Sequence, residues 1–196
     1  VDVIDSTTAD KQDIRPLKFL LLNLMPKKLE TEVQFARLLG ASPLQVELTL
    51  MTTDTYSPKN TKKEHLIEFY KTLEDIKNDF YDVLIITGAP VEHLPFEEVH
   101  YWKELVNLIE EAKLKCASTL GLCWAGFAMA YMAGVEKENF NKKLFGVYPM
   151  RSLVPSHSLM GTQDDEFFCP QSRHAGLPDI EMEKAEQKGK LRLLAH

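Results

Sequence analysis

Four times before Gly134, an apolar run of strand length is followed by residues at helical spacing. Leu17 to Leu24 is the first run, stopped by Pro26, and Leu29, Val33, Ala36 and Leu39 recur behind it as a helical stripe that Gly40 can end. Leu44 to Leu50 alternates apolar and polar residues as a half-wet strand does, and Leu66, Phe69, Tyr70 and Leu73 fit i, i+3, i+4, i+7. Asp82 to Thr87 and Cys116 to Leu122 give two more strands, followed by the stripe Trp102, Leu105, Val106, Ile109 and by the apolar helix Trp124 to Ala133. Such alternation predicts a parallel sheet covered on both faces, with ligands bound beyond the carboxyl ends of its strands. After Gly134 the pattern loosens. Leu144 to Val147, Ser152 to Val154 and Leu191 to Leu194 are the remaining strand candidates.

Composition narrows the function classes. A chain of 196 residues, 44% hydrophobic and 27% charged, is long enough for one large globular domain. A net charge of −6 disfavours a general nucleic-acid binder. No apolar stretch approaches the roughly 20 residues that span a membrane, and no secretory leader is visible, so a cytoplasmic location is expected. Cys116, Cys123 and Cys169 form no C-x-x-C, and the six histidines lack metal-motif spacing, so neither a disulfide framework nor a metal site is expected.

The loops after the strands hold the candidate chemistry. Around Ser118 to Ala128 an apolar run meets Cys123, and helical residues follow at once, the order a nucleophile elbow requires. A thiol there faces the positive end of the next helix, which favours its thiolate form, and the backbone N–H of Trp124 is a ready oxyanion donor. The alternative is a buried structural cysteine. The first loop, Asn23 to Lys28, opens a helix with two lysines, against the helix dipole. That choice suits an anion or a developing oxyanion; two solvated surface lysines are the other reading. In Thr87 to Glu92, Gly88 and Pro90 allow a sharp turn, and Glu92 either shapes a pocket or is an ordinary loop carboxylate. No histidine marks itself by spacing as the base for Cys123: His157 and His174 lie in irregular segments and His196 is the last residue.

Taken together, these loops resemble the homoserine O-acyltransferases, also called homoserine transsuccinylases. The resemblance is carried by Ile14-Arg15-Pro16-Leu17-Lys18, Asn23 to Lys28 with Glu30-Thr31-Glu32 and Gln34-Phe35, Arg37-Leu38-Leu39, Pro43 to Val46, and Glu64-His65-Leu66 with Phe69-Tyr70. It continues through Thr87 to Pro90, Tyr101-Trp102, Thr119-Leu120, Cys123-Trp124, Gly146-Val147-Tyr148 and Ser172-Arg173. It implies an α/β fold: a flavodoxin-like, doubly wound, mostly parallel sheet with helices on both faces, as in class I glutamine amidotransferases. It also implies a ping-pong acyl transfer from acyl-CoA, as co-substrate and with no bound cofactor, through a Cys123 acyl-enzyme to the hydroxyl of homoserine. Lys28 would then stabilise the thioester oxygen, and Lys143 and Ser172 would lie at the acceptor site. Glu92 falls where relatives choose their donor, a carboxylate going with acetyl-CoA and a glycine with succinyl-CoA. A homodimer acting on small molecules, without nucleic acid or membrane, completes the implied picture.

The sequence departs from the family at Phe127 (usually Gln), at Pro149 and Met150 (usually Glu-His) and at Gln171 (usually His). These changes leave serine open as the acceptor, and a cysteine hydrolase or amidotransferase remains the competing enzyme class. The family's base and supporting carboxylate belong to a Gly-His-Pro-Glu segment that falls past His196. The expectation is therefore a single α/β acyltransferase domain over residues 1–196, without the family's C-terminal portion.

Overall fold

A computed structural model describes residues 14–55, 62–161 and 163–196. They form two compact units, the first ending at Gly126 and the second running from Phe127 to His196.

The first unit is built on five parallel strands in the order β3-β2-β1-β4-β5. These are β1 (Leu17–Leu22), β2 (Val46–Met51), β3 (Tyr70–Lys71), β4 (Tyr81–Ile86) and β5 (Cys116–Gly121). In β1, Leu20, Leu21 and Leu22 are all buried, as are Leu84, Ile85 and Ile86 in β4. Successive strand residues point to opposite faces, so both faces of the sheet centre are covered. Helix α1 (Lys28–Leu39) follows β1, and α4 (Trp102–Lys115) leads into β5, burying Leu105, Leu108, Ile109 and Ala112. Chain order reverses between β1 and β4, the switch point at which doubly wound sheets bind ligands. At the opposite end of these strands, Arg15 grips Asp82 with two 2.7 Å hydrogen bonds and the Lys18 N–H adds a third at 2.8 Å. Those bonds, the Arg15 pair first, hold the Asp82 carboxyl well below the usual carboxylate range.

Two expectations in this unit are corrected. The stripe Leu66, Phe69, Tyr70, Leu73 is not one helix: α2 (Lys63–Phe69) ends, Tyr70 pairs with Leu50 in β3, and α3 (Leu73–Ile76) starts afresh. The physical reason is a capping box: the Thr72 hydroxyl accepts from the Asp75 N–H while the Asp75 carboxylate accepts from the Thr72 N–H at 2.8 Å. Helix α1 also turns its other face inward. Leu29 is 55% and Val33 47% exposed, whereas Lys28 and Thr31 are buried.

The second unit contains most of α5 (Trp124–Met132), the antiparallel pair β6 (Glu138–Arg151) and β7 (Glu166–Gly176), and α6 (Asp179–Gln187). Gly134, at φ 92, lets the chain turn out of α5 as its sequence suggests. Ala130, Val135 and Ala185 form a small core with Leu177, Met182 and Leu191 against it. Leu144 to Val147 falls inside one long strand. Leu191 to Leu194 is not a strand; the chain makes only an isolated bridge between Ser152 and Ala195, with the Leu153 N–H on the Leu194 carbonyl at 2.8 Å. No helix among the described residues is long and apolar enough to cross a membrane.

Candidate active site

The strand register brings three loops to one edge of the first sheet. Leu22 stands level with Ile86, and Ile86 with Gly121, so the chain leaves β1, β4 and β5 side by side. The ladder runs on past the strand ends, with Thr87 N–H on the Leu22 carbonyl (3.1 Å) and Leu122 N–H on the Ile86 carbonyl (2.9 Å). The buried Thr87 hydroxyl then accepts from the Leu24 N–H at 2.8 Å and donates to the Gly88 carbonyl at 3.0 Å. One side chain thus pins the first loop to the second.

Cys123 occupies the third loop and is an exposed residue. Its φ of 53° is the one positive value at a non-glycine among the described residues. A left-handed non-glycine carries strain, and this is the geometry of a nucleophile elbow. Two glycines make room for it. A Cβ on Gly88 would lie 3.3 Å from the Cys123 Cβ and 3.7 Å from its Sγ, and one on Gly126 would lie 3.3 Å from the Gly121 carbonyl oxygen. The spacing Gly121, Cys123, Gly126 therefore lets the helix start close over the strand end. Trp124 opens α5, so its backbone N–H has no acceptor within the helix. Its indole is fully buried, with ring centroids 5.8 Å from Phe96 and 6.0 Å from Tyr101. That packing holds the first turn of α5 in place behind the thiol.

The two lysines of the first loop divide between the readings. Lys27 is exposed and pairs with Glu30 at 3.0 Å, an ordinary surface lysine. Lys28 is 1% exposed. Its ammonium donates to the Asn23 carbonyl and lies 5.4 Å over the Tyr70 ring. Burial pushes its pKa down to about 8, and the charge of Glu32 limits the fall. Behind it is a group that the motif reading did not single out as a site. The Asn23 amide donates to Tyr70 (2.9 Å), Tyr70 donates to Glu32 (2.6 Å), and His65 meets Glu32 at 3.0 Å. Burial, then Glu32, keep the Tyr70 phenol protonated far above its ordinary range. The i, i+4 spacing of Lys28 and Glu32 was the available signal.

Glu92 is half-buried in the loop after β4. In the second unit, Lys143 and Ser172 are exposed and share one ribbon: Lys143 Nζ lies 5.4 Å over the Phe145 ring, and Phe145 pairs across the ladder with Ser172. Next to them, Arg173 bonds the Gln171 side-chain oxygen and the Ala175 carbonyl, both at 3.0 Å.

The sequence profile described as homoserine O-succinyltransferase matches residues 1–196. The chain belongs to the homoserine O-succinyltransferase family. A relative named homoserine O-acetyltransferase, from Bacillus subtilis, is 47% identical over 193 residues, covering 98% of this chain and 63% of that protein. Homoserine O-acetyltransferase 1 of Ilyobacter polytropus is 49% identical over 173 residues, 88% of this chain and 57% of its own. This family member thus spans about three-fifths of the length of those curated relatives. A glutamine amidotransferase from Thermotoga maritima superposes with a TM-score of 0.55 at 17% identity, over 84% of this chain and 64% of that one. At that identity the likeness speaks for the fold, which is the class I amidotransferase-like architecture implied by the sequence resemblance.

Proposed function

We propose that this family member is the nucleophile-bearing part of an acyltransferase that moves an acetyl group from acetyl-CoA to the hydroxyl of homoserine. The observation that carries the reading is Cys123, exposed and left-handed on a strand-to-helix turn, in a chain whose relatives are named for this reaction. Cys123 Sγ attacks the thioester carbonyl carbon. The bond from that carbon to the CoA sulfur breaks, and CoA leaves as its thiol with the proton given up by Cys123. The hydroxyl oxygen of homoserine then attacks the acyl-enzyme, the bond to Sγ breaks, and the hydroxyl proton returns to Cys123. Negative charge on the thioester oxygen is met by the Trp124 N–H and the Lys28 ammonium. The family resemblance assigns Lys143 and Ser172 to the acceptor side. The resemblance alone supports cytoplasmic action as a homodimer.

The test uses the full-length protein. Incubated with acetyl-CoA and no amino acid, it is expected to gain one acetyl group on Cys123, released on adding homoserine. A protein that stays unmodified, or carries label elsewhere, would overturn the reading. Serine in place of homoserine identifies the acceptor, and release into water without any amino acid would point to a hydrolase.

Glu92 supports acetyl as the group carried, because its charge repels the free carboxylate of a succinyl group. Glu92→Gly is expected to raise the kcat/KM ratio of succinyl-CoA to acetyl-CoA on the order of tenfold to a hundredfold. An unchanged ratio would show that Glu92 does not read the donor.

A further inference from the structure

Behind Lys28 lies more polar machinery than holding one ammonium requires. Asn23 is fully buried and closes the first loop on itself: its Nδ2 donates to the Lys28 carbonyl (3.2 Å), its Oδ1 accepts from the Met25 N–H (3.2 Å), and its carbonyl takes the Lys28 ammonium. The same Nδ2 donates to the Tyr70 hydroxyl, whose single proton goes to Glu32 at 2.6 Å. That bond fixes the direction of the Tyr70 dipole. His65 closes the chain with contacts of 3.0 and 3.2 Å to the two Glu32 oxygens, and its ring lies 4.8 Å from Phe69. Five residues from the first loop, α1, α2 and β3 are committed to one line of hydrogen bonds.

Packing alone does not account for it. A buried polar chain stabilises a fold little more than apolar groups of the same shape would, and it costs about 1–3 kcal/mol for each group left unpaired. The chain is completed where the backbone leaves its helix: α2 stops at Phe69 and Tyr70 enters the two-residue strand beside Leu50.

We infer that Glu32 is a positioning residue for Lys28, acting through Tyr70 and Asn23 to hold the ammonium in place, with His65 holding Glu32 from its other side. The role rests on the reading of Lys28 given under Proposed function. The titratable groups facing Lys28 are Glu32 on its own helix and Tyr70 on β3; His65, on α2, faces Glu32. Glu32 carries the negative charge that keeps the buried ammonium protonated, and Tyr70 joins that carboxylate to the loop that holds the ammonium.

The experiment reads Lys28 directly, by NMR titration of the full-length protein carrying lysine labelled with ¹³C at Cε, without substrate; Lys28→Arg assigns the signal. In the unchanged protein Lys28 is expected to titrate near pH 8. Glu32→Gln keeps the hydrogen-bonding shape and loses the charge, and is expected to lower that midpoint by about one pH unit. Tyr70→Phe is expected to move it in the same direction by less, and provides the test should the first variant not fold. The rate of Cys123 acetylation should follow, with the alkaline fall of its pH profile, where the Lys28 ammonium loses its proton, displaced to lower pH and the KM for acetyl-CoA unchanged. A Lys28 midpoint unmoved in both folded variants would overturn the inference. If the midpoints move and no acyl-enzyme forms in the unchanged protein, the proposed reaction fails while the coupling of Glu32 to Lys28 stands.

Discussion

Cys123→Ala in the full-length protein is expected to lower acyl transfer at least about a thousandfold, the scale on which loss of a covalent nucleophile acts. No acetyl adduct should form. Cys123 is an exposed residue on a turn, so the change leaves no core cavity and the melting temperature should barely move. Backbone strain sharpens the comparison. Alanine inherits the φ of 53°, whereas glycine adopts it freely. Cys123→Gly is therefore expected to be as inactive as the alanine variant and about 1 kcal/mol more stable, measured by denaturant unfolding. Strain kept at a reactive residue is then a cost that catalysis alone explains. Wild-type turnover by either variant would remove Cys123 from the mechanism.

Lys28→Met is expected to reduce kcat/KM about a hundredfold to a thousandfold, the range for losing one preorganised oxyanion donor. Its stability should diverge from that of the unchanged protein with pH. Lys28 titrates near 8 when folded and near 10.5 when free in solution. Between those values the unfolded chain holds a proton that the folded chain has released, so unfolding becomes harder as pH rises. Relative to the methionine variant, the unchanged protein is expected to gain about 2 kcal/mol between about pH 7 and 9.5. Tyr70, whose phenol stays protonated when folded, works the opposite way above its ordinary range, but it is present in both proteins and cancels. Denaturant midpoints at the two pH values measure the gain, and parallel curves would show that Lys28 is not buried as a titrating group.

Much of the first unit is legible in the sequence. β1 and β4 announce themselves as apolar runs because a sheet covered on both faces buries the residues in its middle, and Cys123 stands out because a strand meets a helix there with no room for a longer turn. What misled the reading was the site itself. In α1 the stripe Leu29, Val33, Ala36 pointed the hydrophobic pattern inward, yet the inward face carries Lys28, Thr31 and the half-buried Glu32. There the Asn23–Tyr70–Glu32 chain overrides burial of leucine and valine. Tyr70 fits a helical stripe in sequence, and only the capping box at Thr72 and Asp75 reveals the break. In the second unit the signal is weak for a different reason. β6 and β7 form a two-stranded ribbon with many exposed positions, and α6 (Asp179–Gln187) is mostly charged, so neither leaves a clear periodic trace. Leu191 to Leu194 has strand composition but joins no ladder, and the one bridge nearby, Ser152 with Ala195, falls just past its end.

The Thr87 hydroxyl, wedged between Leu24 and Gly88, acts as a rivet between two segments that would otherwise drift separately. Past Gly88, which must stay small beside Cys123, the chain out to Glu92 can change in sequence without tugging on the segment that carries the lysine. On the donor-reading role proposed for Glu92, a lineage would exchange one thioester for another by altering a single outlying position, leaving the riveted frame intact.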